Sequence, residues 1–180
     1  MTIPAGDRHF IPLGIALLTA SDTRSLDDDN SGRLLADRIA DAGHSVIHRA
    51  ILPDDQAEIS SRLRQWSLDP SIDVIITTGG TGLTGRDCTV EAHKMVYEKE
   101  MDAFTAVFAA ISMNSIGASA IQSRACAGVA NGTFLFALPG SPGACRDAWD
   151  QILKRQLDFR TRPCNFVEIL PRLDEHLRRK

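Results

Sequence analysis

Short runs of apolar residues alternate along the chain with longer stretches in which apolar residues recur every third or fourth position. The runs are typical of buried strands, and the stretches are typical of helices with one buried face. The predicted strands are 11–19, 46–52, 74–76 and 133–138. The predicted helices are 31–43, a segment carrying Ile59, Leu63 and Trp66, 89–97, 101–111, and a segment carrying Trp149, Ile152, Leu153 and Leu157.

Two of these helices have informative side chains. In 31–43, Ser31 is expected to cap the N-terminus, and Gly43 is expected to end the helix. The stretch 101–111 carries an apolar stripe, which is typical of a core helix or a subunit interface. The stripe consists of Phe104, Val107, Phe108 and Ile111.

Strands that alternate with helices predict an α/β fold with a parallel or mostly parallel sheet and right-handed crossovers. Such a sheet collects the polar loops that follow its strands along one edge. We expect an N-terminal extension (1–10), one α/β domain (11–158) and a C-terminal tail (159–180).

Composition restricts the possible partners. The chain has 180 residues, 43% of them hydrophobic, and a formal net charge of -3, so neither a nucleic acid nor an anionic membrane is expected as a partner. We expect no stretch that approaches the length of a membrane span, and residues 1–12 contain charges where a signal peptide needs an apolar run. These features predict a cytoplasmic protein. The cysteines contain no Cys-x-x-Cys pair and are expected to be reduced thiols; they are Cys88, Cys126, Cys145 and Cys164.

A glycine-rich loop follows the strand at 74–76. Its glycines permit positive φ and a close approach of the backbone to a ligand, and successive amides form an anion-binding nest. They are Gly79, Gly80, Gly82 and Gly85. Residues 80–85 match Gly-x-Gly-x-x-Gly, but the acidic residue that a nicotinamide site needs at the end of the next strand is missing. The loop also lacks the lysine of a nucleotide-hydrolase phosphate loop, so a different phosphate site is predicted.

Three aspartates follow predicted parallel strands, namely Asp22, Asp54 and Asp87. They should therefore meet at one edge of the sheet, although Asp54 alone could be a turn residue and Asp87 alone a helix cap. Several carboxylates beside a phosphate loop suit Mg²⁺, which prefers one or two carboxylates together with phosphate oxygens and water. Arg86 and Arg124 are candidates for clamping a phosphate.

Residues 78–89, Thr-Gly-Gly-Thr-Gly-Leu-Thr-Gly-Arg-Asp-Cys-Thr, resemble the signature of the molybdenum cofactor biosynthesis family typified by MoaB and MogA. Further blocks of the chain resemble that family in the same order, from about residue 11 to residue 166. These blocks are 18–23, 29–32, 52–55, 122–125, 128–129 and 138–141. The tail 160–166, Arg-Thr-Arg-Pro-Cys-Asn-Phe, is similar to the bacterial B-type protein in particular.

The resemblance implies a three-layer α/β/α sandwich of the molybdopterin-binding type that assembles as a homotrimer or homohexamer. It also implies adenylylation of molybdopterin by ATP with Mg²⁺, which gives adenylyl-molybdopterin and pyrophosphate, and a molybdate insertase as a further candidate partner. By similarity, Asp54 and Asp87 are the catalytic and metal-binding carboxylates, with Asp29 as a further metal candidate. The implied nucleotide and pterin contacts are Ser21, Asp22, Ser31, Gly79, Gly80, Thr81, Gly82, Thr89, Ser123, Pro139, Gly140 and Ser141.

The family also contains B-type proteins that lack the Arg-Asp-x-Thr segment and are not adenylyltransferases. The alternative function is therefore a non-catalytic, pterin-binding or scaffolding protein of the same pathway. Arg86, Asp87 and Thr89 are all present here, which favours the enzyme. The sequence leaves open the choices between trimer and hexamer and between molybdenum and tungsten.

Overall fold

The computed structural model describes residues 8–176, so the outer parts of the predicted extension and tail, 1–7 and 177–180, lie outside the described residues. The strands are β1 (Gly14–Ala20), β2 (Ser45–Leu52), β3 (Val74–Thr78), β4 (Lys99–Glu100), β5 (Cys126–Ala130) and β6 (Thr133–Leu138). The α-helices are α1 (Asn30–Asp41), α2 (Gln56–Ser67), α3 (Thr89–Lys94), α4 (Asp102–Ile116), α5 (Pro142–Ala148), α6 (Lys154–Gln156) and α7 (Phe166–Ile169). A π-helical turn, Trp149–Leu153, joins α5 to α6, and 3-10 turns occupy Gly117–Gln122 and Leu170–Arg172.

The strands form one six-stranded sheet in the order β2-β1-β3-β6-β5-β4. The first four strands of that order are parallel, whereas β5 and β4 are antiparallel to their neighbours. Successive residues of β1 face opposite sides of the sheet: Ile15 and Leu17 pack with α1, α4 and α5, and Ala16 and Leu18 pack with α2 and α3. Helices thus cover both faces, and the expected mostly parallel α/β/α sandwich is confirmed.

The end of the sheet that carries β5 was not predicted. Small residues in β5 give little strand signal, but Asn131 and Gly132 adopt φ values of 51° and 81° and connect β5 to β6 in a tight hairpin. An Asn-Gly pair between apolar runs is the strongest short-range hairpin signal in a sequence. The sequence therefore carries a local signal for this antiparallel pair in Asn131 and Gly132.

The predicted cap of the first helix is also wrong. Asp29 is the N-cap of α1, and its Oδ1 accepts a hydrogen bond of 2.9 Å from the Gly32 amide. Ser31 lies inside the helix and is buried. Gly43 does follow the helix, at a φ of 89°. A carboxylate is as good a cap as a hydroxyl, and local sequence does not choose between two such residues that lie so close together.

One stretch of the described residues is long and apolar enough to cross a membrane by length and composition alone. It is Asp102–Gln122, a helical stretch of 21 residues of which only a minority is buried. The expectation that no such stretch occurs is therefore wrong, because its apolar residues are dispersed among Ser and Thr rather than gathered in one run. Most of this stretch is exposed, and Phe104 and Phe108 are its large apolar side chains buried against the sheet, at 5% and 3% exposure.

Candidate functional site

The carboxyl ends of four parallel strands meet at one edge of the sheet. Ala20 of β1 pairs with Leu52 of β2, and Thr78 of β3 pairs with Leu138 of β6. The loops that follow these strands therefore begin side by side. This is the edge at which open α/β sheets bind ligands, and it is where the sequence places the glycine loop and the aspartates.

The glycine loop turns sharply as it leaves β3. Gly79 and Gly80 have φ values of 95° and 60°, which non-glycine residues rarely adopt. A Cβ on Gly79 would collide with the carbonyl oxygen of Ala20, and a Cβ on Gly140 would lie 3.0 Å from the Gly79 Cα atom. Three strand ends therefore approach each other more closely than side chains at these two glycines would permit.

Asp22, Asp54 and Asp87 converge at this turn, as the strand pattern predicts. Asp22 Oδ1 accepts a hydrogen bond of 3.1 Å from the Asp54 amide, and its Oδ2 receives Arg86. The hydrogen bond from Arg86 lowers the pKa of Asp22. Burial, followed by the negative charges of Asp22 and Asp87, raises the pKa of Asp54. Asp54 therefore lies where a cation would be stabilised.

Two oxygen atoms beside Gly80 lack hydrogen-bond partners among the described residues. They are Asp54 Oδ1 and Thr89 Oγ1, and both are buried. A Cβ on Gly80 would collide with both, so glycine at this position leaves the oxygens their shared space. The Thr89 amide donates to the Gly80 carbonyl at 2.9 Å, which fixes the start of α3 against the turn. Buried polar atoms without partners are unusual and point to an external ligand.

Asp87 is held by its own loop. Its Oδ2 accepts hydrogen bonds from Thr84 N at 2.8 Å and from Thr84 Oγ1 at 2.7 Å. The hydroxyl bond is the main cause that lowers the pKa of Asp87, and the Gly82 amide adds to it. Asp87 does not cap α3, whose N-cap residue is Cys88 without a side-chain hydrogen bond. Asp87 is therefore an ionised carboxylate at the site, and its Oδ2 is occupied by hydrogen bonds from its own loop.

A Mg²⁺ ion fits this chemistry only together with phosphate oxygens. Within residues 8–176, no group of three or more His, Cys, Asp or Glu side chains is arranged to hold a metal ion. The unpaired oxygens of Asp54 and Thr89 nevertheless offer one carboxylate and one hydroxyl ligand at the same place. That number of protein ligands is typical of Mg²⁺ sites completed by a substrate phosphate and water.

Asp29 and Ser31 form structural hydrogen bonds beside the cleft, which is the space between the glycine loop, Asp22, Asp54 and Asp87. Asp29 is fully buried, and its Oδ2 accepts from Thr19 Oγ1 at 2.8 Å and from Arg49 Nη2 at 2.9 Å. Although burial opposes it, hydrogen bonds from Gly32, Arg49 and Thr19 lower the pKa of Asp29. Ser31 Oγ donates to the Gly140 carbonyl at 2.8 Å. The structure thus favours a structural role for Asp29 over metal binding.

The two arginines singled out as phosphate clamps have carboxylate partners. Arg86 pairs with Asp22, with Nε and Nη2 at 3.0 and 2.5 Å from Oδ2. Arg124 pairs with Glu91 through both terminal nitrogens, at 2.5 and 3.2 Å. Arg86 is 70% exposed beside Asp22, whereas Arg124 is 29% exposed. Both arginines carry the same charge, so they differ in their surroundings: Arg86 is largely open to solvent, and Arg124 is mostly covered.

Most of the remaining predicted contacts line the same edge. Thr81 is buried in the loop, and Thr78 Oγ1 donates to the Pro139 carbonyl at 3.0 Å. Ser21 Oγ accepts from the amides of Thr23 and Arg24 at 3.3 and 3.2 Å, and Ser141 Oγ caps α5 by accepting from Ala144 N at 3.2 Å. Sequence reasoning missed Arg24, which donates to the Gly140 carbonyl at 3.3 Å. Its place, directly after a strand-end loop of small polar residues, was the available signal.

Ser123 lies apart from this group. It lines a cavity of about 610 Å³ between α3, α4 and β5, together with Glu91, Lys94 and Arg124. Apart from Arg124, none of the other predicted site residues lines that cavity. Ser123 and the strand-end loops are connected through its neighbour Arg124, which contacts the glycine loop.

The chain is similar to known proteins in sequence and in fold. Residues 16–158 match the sequence family described as "Probable molybdopterin binding domain". The molybdenum cofactor biosynthesis protein B of Escherichia coli strain K12 is 46% identical over 158 residues, which cover 88% of this chain and 93% of that protein. A crystal structure of a molybdenum cofactor biosynthesis protein B has a TM-score of 0.82 at 33% identity, covering 92% of this chain and 98% of its own. The tungsten cofactor synthesizing protein MoaB from Pyrococcus furiosus has a TM-score of 0.71 at 31% identity, covering 80% and 92%.

Proposed function

Because the chain belongs to the molybdopterin-binding family of molybdenum cofactor biosynthesis, we propose that it binds molybdopterin and adenylylates it with ATP and Mg²⁺. The terminal phosphate oxygen of molybdopterin attacks the α-phosphorus of ATP. The bond between the α-phosphorus and the bridging oxygen of the β-phosphate breaks, and pyrophosphate leaves. The products are adenylyl-molybdopterin and pyrophosphate.

The observation that carries this proposal is the unpaired Asp54 Oδ1, which lies in an acidic cluster beside a tight glycine turn. A carboxylate with a raised pKa and no hydrogen-bond donor on that oxygen is suited to a cation, and phosphates are what the backbone amides of a glycine turn bind. A site that combines both is suited to a metal-bound triphosphate.

Phosphoryl and nucleotidyl transfer require alignment and charge neutralisation more than a protein nucleophile. In the proposed site, Asp54 and Thr89 provide the metal-binding oxygens, and Asp87 provides a second carboxylate. The amides of Gly80 and Thr81 bind phosphate, because the Gly79 amide already donates to the Leu138 carbonyl at 3.1 Å. The loop 139–141 closes the opposite side. A bound Mg²⁺ would supply charge neutralisation on the phosphate oxygens. Ser21 and Asp22 lie where β1 ends, at the nucleotide side of the proposed cleft.

We also propose that the protein works as a homotrimer or homohexamer in the cytoplasm and passes its product to a molybdate insertase. The exposed surface of the segment 102–122 supports the assembly, because its apolar side chains have no cover within the described part of the chain. These are Val107, Met113, Ile116 and Ile121, with exposures of 49%, 55%, 54% and 85%. Contiguous exposed apolar surface is typical of a protein interface.

The turnover assay combines purified protein with molybdopterin, ATP and Mg²⁺ and measures pyrophosphate. We expect pyrophosphate release that requires both substrates and the metal. The alternative is a non-catalytic, pterin-binding or scaffolding protein of the same pathway. Binding of molybdopterin without pyrophosphate release would establish that alternative and reject the enzyme. Adenylyl-molybdopterin, identified by mass spectrometry, separates transfer to the pterin from hydrolysis of ATP.

A further inference from the structure

Arg124 has three partners that together commit its guanidinium group. Its Nε lies 2.9 Å from the carbonyl oxygen of Thr81 and 2.9 Å from that of Gly82. Its two terminal nitrogens pair with both carboxylate oxygens of Glu91, on the first turn of α3. A phosphate would have to displace one of these partners. Arg124 therefore braces the protein backbone, although its residue type first suggested a phosphate clamp.

The contact with the carbonyls fixes the direction of the loop amides. A trans peptide is planar, and its N–H points away from its C=O. When the Thr81 carbonyl faces Arg124, the Gly82 amide must face the other side of the loop, towards the acidic cleft. The same reasoning directs the Leu83 amide away from Arg124. The orientation of two consecutive peptides thus depends on one side chain.

Asp87 lies on that other side. The amide and hydroxyl of Thr84 donate to its carboxylate, and the nearby Gly82 amide helps to lower the pKa of Asp87. A Cβ on Gly82 would lie 2.7 Å from Asp87 Oδ2, so carboxylate and peptide are in close contact. A continuous chain of contacts therefore leads from Glu91 through Arg124 and the peptide between Thr81 and Gly82 to Asp87.

We propose that Arg124, braced by Glu91, is a positioning residue that orients the glycine-loop peptides and thereby holds Asp87 in place at the cleft. Its effect on turnover rests on the proposed function, but its effect on loop geometry does not. Lysine cannot replace it, because a single ammonium group cannot bind two carbonyls and a carboxylate in the fork geometry of a guanidinium. Arg124 thus has two roles: it donates hydrogen bonds to two carbonyl oxygens, and it forms an ion pair with Glu91.

The test compares Arg124→Lys with a matched control, Arg38→Lys. Arg38 forms a similar multi-contact pair with Asp150 away from the cleft, and its side chain is also 29% exposed. Hydrogen exchange, followed residue by residue, reports on the loop without any substrate. We expect the amides of Gly82 and Thr84 to exchange roughly ten-fold faster in Arg124→Lys and to be unchanged in Arg38→Lys. Equal exchange in both variants would overturn the proposal.

Kinetics supply the second readout. Misplacing a reacting group by a small distance lowers the rate constant more than ground-state binding. We expect kcat to fall roughly ten- to a hundred-fold in Arg124→Lys, with KM for ATP changed less than about two-fold. A raised KM with unchanged kcat would mean that Arg124 contacts the nucleotide directly, which overturns a positioning role. If the wild type lacks turnover, the proposed function fails, and the exchange measurement still decides whether Arg124 positions the loop.

Discussion

Asp54 and Thr89 direct unpaired side-chain oxygen atoms at the same space beside Gly80, although 35 positions of sequence separate the two residues. A buried oxygen without a donor costs free energy that a folded chain normally avoids. Folds retain such costs mainly at functional sites, where a ligand supplies the missing partner. This pair therefore gives the most direct tests of the site.

Replacing Asp54 by asparagine should abolish turnover while the fold becomes more stable. The variant loses the charge that the proposed metal–phosphate complex needs, so we expect turnover to fall by roughly a hundred-fold or more. It also relieves burial of a charge and repulsion by Asp22 and Asp87, so the free energy of unfolding should rise by about 0.5–1 kcal/mol. Pyrophosphate release and thermal unfolding measure the two effects. Asp55→Asn is the control, because asparagine can still cap α2 by accepting the bonds from Ala57 and Glu58.

Two substitutions of Asp87 should separate its charge from its role in the loop. Asparagine retains an oxygen that can accept the hydrogen bonds of Thr84, so Asp87→Asn should lose turnover with little loss of stability. Asp87→Ala leaves those donors without their acceptor, and the free energy of unfolding should fall by a further ~1 kcal/mol. Denaturant unfolding of both variants checks this. Equal free energies of unfolding in the two variants would show that the hydrogen bonds from Thr84 to residue 87 do not stabilise the fold.

A methyl group at Gly80 should close the space that the two oxygens share. Gly80→Ala combines a positive φ with collisions against Asp54 and Thr89, and we expect a loss of roughly 1–3 kcal/mol in stability together with loss of turnover. Gly85→Ala is the matched control in the same loop, since a Cβ there meets nothing within 4 Å. Chemical denaturation of the two variants measures the difference. A similar loss in both would mean that loop flexibility, not the shared space, sets the requirement for glycine.

The pH dependence of turnover should reflect the raised pKa of Asp54. The ionised form is the active one in the proposed site, so kcat/KM should rise with pH through that pKa and fall on its acid side. The guanidinium of Arg86 lowers the pKa of Asp54, and Arg86→Gln should therefore move the acid limb to higher pH. Arg172→Gln is the control, because Arg172 is 69% exposed and pairs with Glu175. An acid limb that stays in place in Arg86→Gln would show that Asp54 does not set it.

Asp54 should affect stability in the opposite direction to turnover: rising pH should increase turnover and decrease the free energy of unfolding. Because the folded-state pKa of Asp54 lies above its ordinary value, ionisation is disfavoured in the folded protein. Its contribution to stability is therefore present at low pH and is lost as pH rises through the folded pKa. Unfolding measured across this range in the wild type and in Asp54→Asn gives the difference, which should grow with pH and then level off.

A charge on the exposed face of the segment 102–122 should disrupt the proposed assembly. Ile116 is 54% exposed, and Ile116→Glu would bury a carboxylate in an interface formed by this face. We expect sedimentation to shift from the trimer or hexamer to the monomer. Leu68→Glu is the control, because Leu68 is 70% exposed at the end of α2. An unchanged sedimentation coefficient in Ile116→Glu would place the interface on another face.

The predictability of the fold followed the strength of its periodic signals. The strand 133–138 was predicted with the observed bounds, and α2 buries Ile59, Leu63 and Trp66 as their spacing indicates. The strands β5 and β4 were not predicted, because β5 consists mainly of small residues and β4 has only two residues, so neither gives a clear hydrophobic pattern. The exposed Val107 shows a further limit, since an apolar stripe does not distinguish a face that meets the sheet from one that remains open.

The sequence alone determined that three aspartates would meet beside a glycine turn. Parallel strands must align their carboxyl ends, so residues that follow them become neighbours regardless of their separation along the chain. The tertiary structure decided what each aspartate does there: Asp54 keeps a free oxygen, Asp87 holds its loop, and Asp22 receives Arg86. These roles depend on side-chain contacts between distant residues, which leave no periodic trace in the chain. The hydrophobic pattern thus predicts that the three aspartates lie at one edge of the sheet, whereas their hydrogen-bond partners are set by the packing of the folded chain.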